Sequence, residues 1–161
     1  MAFLAWPDLS AAKLLYSYAY DGLDGKKVTV QQLGRVIIFT FTGRYGLDDS
    51  QTNVPKVVEY ARAPGIDGIV FNFQHTHFTH TLAQFRDLAQ TLALAYPAHL
   101  RVAYTIGPGS LIHVLQMTRY LRKEGVNVGI RPCMVTALGF VQGQSKMSNK
   151  KPGRAGPNVQ S

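Results

Sequence analysis

The chain has 161 residues, 46% hydrophobic and 16% charged, with a formal net charge of +8 at pH 7. These proportions exclude a chain too polar to fold, and the length suits one compact domain that buries a core without staples. Cys133 is the single cysteine, which excludes an internal disulfide and a cysteine-based metal site; it reads as an inert, partly buried thiol in a reducing compartment.

The stretch up to Tyr20 is aromatic, with Phe3, Trp6, Tyr16, Tyr18 and Tyr20, but has no basic leader. Pro7, Asp8 and Lys13 interrupt it before a bilayer is spanned, so neither signal peptide nor membrane helix is expected and the predicted location is the cytoplasm. Residues 1–26 are expected to pack on the domain through an N-terminal helix, with a self-association surface as the alternative use of the aromatic residues. A turn-rich stretch, 21–25, precedes Val28–Gln31, which alternates apolar and polar as a half-buried strand does. Leu33-Gly34-Arg35 breaks that run, and Val36–Thr42 is β-branched and aromatic, so the two segments predict an antiparallel hairpin.

Val54, Val57, Val58 and Ala61 share one helical face, and Pro55 is tolerated in a first turn, which predicts a helix from about residue 52 to Pro64-Gly65. Ile69–Phe73 is a short apolar run interrupted only by Asn72, the pattern of a central strand buried on both faces. Thr79 or Thr81 then offers a cap to a helix whose stripe is Leu82, Phe85, Leu88, Ala89, Leu92 and Tyr96, ended by Pro97. Leu100–Ile106 repeats the strand pattern, and Ser110 is expected to cap a helix carrying Leu111, Val114, Met117 and Leu121, stopped at Gly125. Val126–Ile130 predicts an edge strand, and Met134–Val141 a last short helix. The tail, 143–161, with Lys146, Lys150, Lys151 and Arg154, lacks core-forming residues and is expected to be disordered.

The order is hairpin, helix, strand, helix, strand, helix, strand, helix, which predicts an α/β fold with a mixed sheet. From Gly34 to Val141 this layout resembles the STAS-like family of bacterial anti-sigma-factor antagonists and related small domains. The resemblance is carried by Val36–Gly46, by Gly68–Phe73 before the second helix, and by Val126–Ile130 running into Val135–Phe140. It implies residues 27–142 as the domain and a non-catalytic, bacterial, regulatory protein-binding module. The antagonists follow a Leu-Asp-Leu strand with Asp-Ser-Ser-Gly-Leu, one serine of which a partner kinase phosphorylates. Here Asn72 stands in place of the strand aspartate and His80-Thr81-Leu82 in place of the acidic and serine positions, so the resemblance leaves Thr81 to inherit the phospho-acceptor role. The same hydroxyl is an ordinary helix cap.

Three imidazoles, His75, His77 and His80, fall in a short segment expected as a loop at the carboxyl end of the central strand, the rim where ligands bind in open α/β sheets. Three neutral imidazoles folded to one point hold a metal, but no nearby acid or cysteine completes a ligand set, so no metal is assigned and the bland reading is a polar loop. No nucleophile–base–orienter arrangement, phosphate-loop lysine or dinucleotide fingerprint is present. Gly107, Gly109 and Ser110 open a helix after a parallel strand; their backbone N–H groups suit an anion, though a tight turn needs the glycines anyway.

The expected function is partner binding by the segment from Asn72 through His75, His77, His80 and Thr81 to Phe85, with no cofactor, responsive to a ligand or to phosphorylation, and with homo-oligomerisation left open. The alternatives are a small α/β enzyme or metal-binding protein using His75, His77 and His80, or a binder of nucleic acid or acidic membrane surfaces through the basic tail.

Overall fold

The computed structural model describes residues 9–19 and 25–143. Phe3, Trp6, Tyr20 and the basic residues of the tail lie outside the described residues. Among the described residues six strands form one sheet in sequence order: β1 (Lys13–Ala19), β2 (Lys27–Leu33), β3 (Val36–Tyr45), β4 (Gly68–Phe78), β5 (Arg101–Ile106) and β6 (Asn127–Ile130). β1, β2 and β3 pair antiparallel, whereas β3 to β6 pair parallel. Helices α1 (Leu47–Ala61), α2 (Leu82–Ala95) and α3 (Leu111–Lys123) make the parallel crossovers, and α4 (Met134–Val141) closes the chain order.

Strand alternation divides the core in two. Ile37, Phe39 and Phe41 of β3, Ile69, Phe71 and Phe73 of β4, and Val102 and Tyr104 of β5 face α1, α2 and α3, which contribute Val57, Phe85, Ala89, Leu92, Val114, Met117 and Leu121. The intervening residues Val36, Ile38, Val70 and Ala103 face α4 through Met134, Ala137, Leu138 and Val141. Ile69 and Val70 are 0% exposed, so the central strand is covered on both faces.

Four local expectations are corrected. Residues 13–19 are a strand, not a helix: Tyr16 and Tyr18 sit opposite Val30 and Val28. The ring of Tyr16 carries the Lys56 ammonium 4.3 Å from its centroid. Helix α1 begins at Leu47 rather than near residue 52, because Asp49 Oδ2 accepts the Gly46 N–H at 2.9 Å while its Oδ1 pairs with Lys26 Nζ at 2.7 Å. Pro55 therefore lies inside the helix, where it removes one intrahelical hydrogen bond. Ser110 precedes α3 without a capping bond from its side chain. Leu111, expected on the buried stripe, is 42% exposed.

Candidate functional site at the carboxyl rim

The histidine segment is strand rather than loop. β4 continues past the apolar run, setting His75 beside Thr42, Thr76 beside Gly43, His77 beside Arg44 and Phe78 beside Tyr45 of β3. Its partner on the other side is lost earlier, since pairing with β5 stops at Phe73 and Ile106. Beyond that point the Gly107–Ser110 turn fills the place of β5, and the Phe78 N–H donates to Gly109 O at 3.2 Å. His75 and His77 face solvent while Thr76 and Phe78 are buried, a period of two hidden in the sequence by the unbroken polarity of Gln74 to His77. The Thr76 hydroxyl donates to Phe41 O at 2.8 Å, which ties this extension to β3.

His80 lies below the rim and is 5% exposed. Its Nε2 is 2.7 Å from the Ser50 hydroxyl on the first turn of α1, and its carbonyl accepts His113 Nε2 of α3 at 2.8 Å. Phe78 and Phe85 pack edge-on or tilted around the two imidazoles, with centroids 5.1–5.7 Å apart. Burial, and secondarily the neighbouring His113, hold the His80 imidazole below its ordinary value; Asp49 opposes this in part. His80 Nδ1 is buried and has no hydrogen-bond partner among the described residues. Ser50 and His80 therefore form a hydroxyl–imidazole pair lacking the third group that orients the ring in nucleophilic catalysis.

The other expected contact residues divide by depth. Asn72 is 6% exposed, and its Oδ1 accepts the Thr105 hydroxyl at 2.9 Å and the Gln74 N–H at 3.1 Å, so its amide joins β4 to β5 beneath the rim. Phe85 is 1% exposed and belongs to the core. Asn72, His80 and Phe85 thus support the rim from below rather than form its surface. Thr81 is exposed and closes a capping box: its Oγ1 accepts the Gln84 N–H at 3.1 Å, and Gln84 Oε1 accepts the Thr81 N–H at 3.0 Å.

Gly107 and Gly109 are required by close approach. A Cβ on Gly107 would stand 2.1 Å from Gln74 O, and one on Gly109 2.8 Å from Thr76 O. Ser110 is 0% exposed; its hydroxyl donates to Phe73 O at 3.0 Å and accepts the Gly107 N–H at 3.2 Å. The Ser110 N–H donates to Gly107 O at 3.2 Å. Two of the turn's donors are therefore engaged before any anion arrives, and the serine locks the turn to β4.

Among the described residues no three His, Cys, Asp or Glu side chains gather where a metal could be held, so His75, His77 and His80 do not converge. No helix of the described residues is long and apolar enough to cross a membrane. Cys133 is partly exposed at the start of α4, where hydrogen bonds with Thr136 lower its thiol from the ordinary value.

Sequence reasoning missed Ser50 and His113, which the fold brings to His80 from distant helices. It also missed a surface. Leu82 at 49%, Ile112 at 64% and Leu115 at 44% exposure line a groove of about 380 Å³ between α2 and α3, together with Gln116 and Arg119. The available signal is that Ile112 and Leu115 fall outside the stripe of Val114, Met117 and Leu121 that α3 buries.

No protein-family model matches the sequence, and none of the curated proteins does. Solved structures do match. The chain is similar to the anti-sigma factor antagonist SpoIIAA in its unphosphorylated form, with a TM-score of 0.52 and 12% identity over 72% of this chain and 98% of that one. It is also similar to an uncharacterized protein of the DUF3478 family with a SpoIIAA-like fold from Shewanella loihica PV-4, with a TM-score of 0.49 and 15% identity over 77% and 99% of the two chains. SLC26A9 gives a TM-score of 0.49 and 14% identity over 88% of this chain and 26% of its own. The first match, together with the mixed sheet of six strands in sequence order, establishes that this chain has the STAS-like α/β fold.

Proposed function

We propose that the domain is a non-catalytic regulatory module that binds a protein partner at the rim formed by His75, His77, Thr81 and the adjoining α2–α3 groove. The observation that carries this reading is the apolar groove itself. Leu82, Ile112 and Leu115 sit together in solvent, and such grouped exposure is characteristic of interaction sites rather than of scattered surface residues. Arg119 lines the groove and Lys123 follows one turn later on α3, with no acidic residue in the lining. The complementary partner presents an apolar ridge flanked by carboxylates, the arrangement of an amphipathic acidic helix.

Thr81 stands beside Leu82 at the head of α2. A phosphoryl group there adds up to about two negative charges at a helix N-terminus, which the dipole tolerates and which an acidic partner does not. Phosphorylation of Thr81 would thus release the partner without unfolding the domain. The Ser50–His80 pair favours an enzyme as second reading, but its unpartnered Nδ1 leaves the ring without an orienting acceptor, and the non-catalytic reading is preferred.

The test compares affinity captures from the source organism using the wild type, Ile112→Asp, Leu94→Asp and Thr81→Asp. Leu94 is 84% exposed but does not line the groove, so it serves as the control. The expected result is a protein bound by wild type and Leu94→Asp, lost with Ile112→Asp and reduced with Thr81→Asp, and reconstituted from purified components. Equal recovery by wild type and Ile112→Asp would refute the groove as the docking surface.

A further inference from the structure

Under the seam of α1 and α2 the core is not filled. A void of about 60 Å³ lies between these helices and the aromatic face of the sheet, walled by Phe41, Val57, Phe71, Phe73, Leu92 and Met117. Packed interiors hold few spaces larger than a water molecule. Tyr104 of β5 also lines this one, and although the residue is 1% exposed its hydroxyl has no hydrogen-bond partner among the described residues. Its ring stacks on Phe71 and Phe73 at 5.3 and 5.8 Å, so phenylalanine would pack there equally well. The hydroxyl is therefore surplus to the packing and carries an uncompensated desolvation cost. Burial raises the Tyr104 phenol above its ordinary value, which keeps it protonated and able to donate.

The void is lined mostly by apolar side chains, which suits an apolar occupant better than water. Of the other polar side chains on its wall, the Ser50 hydroxyl lies 2.7 Å from His80 Nε2, the Tyr45 hydroxyl donates to Lys27 O at 2.8 Å, and Asn53 is the third. A way in exists. Ser50, Val54 and Leu88 line both the void and a surface groove of about 310 Å³ between α1 and α2. Pro55 lies on that groove and removes one hydrogen bond from α1, so this wall is the one built to yield.

We propose that the void and groove together form a binding site for a small apolar molecule, ring-shaped or short-chained, whose one hydrogen-bonding oxygen is received by the Tyr104 hydroxyl. The oxygen-bearing end occupies the void against the stacked wall of Phe71, Phe73 and Tyr104. The apolar remainder lies in the groove against Val54 and Leu88. This site lies on the far side of α2 from the partner groove and does not depend on it.

The probes are phenol and toluene, similar in shape but differing in the hydrogen-bonding oxygen, each titrated into the full chain while the Met117 methyl is followed by ¹³C NMR. Phenol should give a saturable shift, and toluene should bind roughly tenfold more weakly, since a site built around a buried polar group discriminates against a ligand lacking its counterpart. In Tyr104→Phe, which keeps the ring stack and should fold, the two affinities should become equal. In Val54→Phe, which narrows the throat, phenol binding should fall at least tenfold, while Ile112→Asp should bind phenol as wild type does. Absence of a saturable phenol shift in the folded wild type, or a phenol preference that survives in Tyr104→Phe, would overturn the proposal.

Discussion

Replacing Gly107 by alanine tests how the turn after β5 is held against the extended end of β4. The new methyl would stand 2.1 Å from Gln74 O, about 1 Å inside the closest approach that a Cβ makes to another heavy atom. Because the obstacle is backbone, the turn itself must withdraw by about that distance. Withdrawal breaks two bonds, Ser110 Oγ to Phe73 O at 3.0 Å and Phe78 N to Gly109 O at 3.2 Å. At about 1 kcal/mol per net hydrogen bond, with a further 1–3 kcal/mol where a buried group is left unpaired, the loss is about 3–5 kcal/mol. Gly125→Ala is the matched control: it has φ 89° but nothing within 4 Å of the added Cβ, so only backbone strain of about 1–2 kcal/mol is expected. Urea denaturation of both variants beside wild type measures the difference as midpoint shifts. If Gly107→Ala unfolds no earlier than Gly125→Ala, the turn is not clamped to β4 as described. His77, beside Gly109, should also broaden or shift in NMR spectra of Gly107→Ala.

His80 makes stability depend on pH in a defined direction. Its folded value lies below the unfolded one of about 6.5, so the unfolded chain binds the extra proton and stability falls as pH drops through that region toward the lowered folded value; it is fully present above it. Urea midpoints measured from pH 7.5 to 5 should decline for wild type and flatten for His80→Gln; equal slopes would count against the assignment. Thr81→Ala should cost about 1 kcal/mol in thermal or urea unfolding through loss of the cap, whereas Thr81→Asp should retain nearly all of it. Asn72→Ala strands the Thr105 hydroxyl in the core and should cost about 1–3 kcal/mol, while the isosteric Asn72→Asp keeps both accepted bonds and should cost less; the reverse order in calorimetry would show that the amide nitrogen matters instead.

Much of the architecture was legible because its signals are local. The hairpin of β2 and β3, the apolar run of β4, the stripe and cap of α2 and the closing helix α4 each announce themselves through periodicity or a bounding glycine or proline. Where expectation failed, a distant partner had overridden a local rule. Lys13–Ala19 has no strong alternation, yet it joins the sheet because β2 offers an open edge. Helix α1 runs through Pro55 because Asp49 anchors its start to Gly46 and Lys26, a contact that spans two elements.

The histidine segment marks the boundary between the two kinds of information. The amino-acid order alone determined that three imidazoles follow a buried apolar run and that Thr81 can cap the next helix. Only tertiary structure decided that His75 and His77 face solvent from a lengthened strand while His80 turns inward to Ser50 and His113, residues 30 and 33 positions away. The exposed groove of α2 and α3 and the void beneath α1 and α2 belong to that second class. Both are made by surfaces of separate helices meeting, and no single stretch of chain records how far apart two helices come to rest.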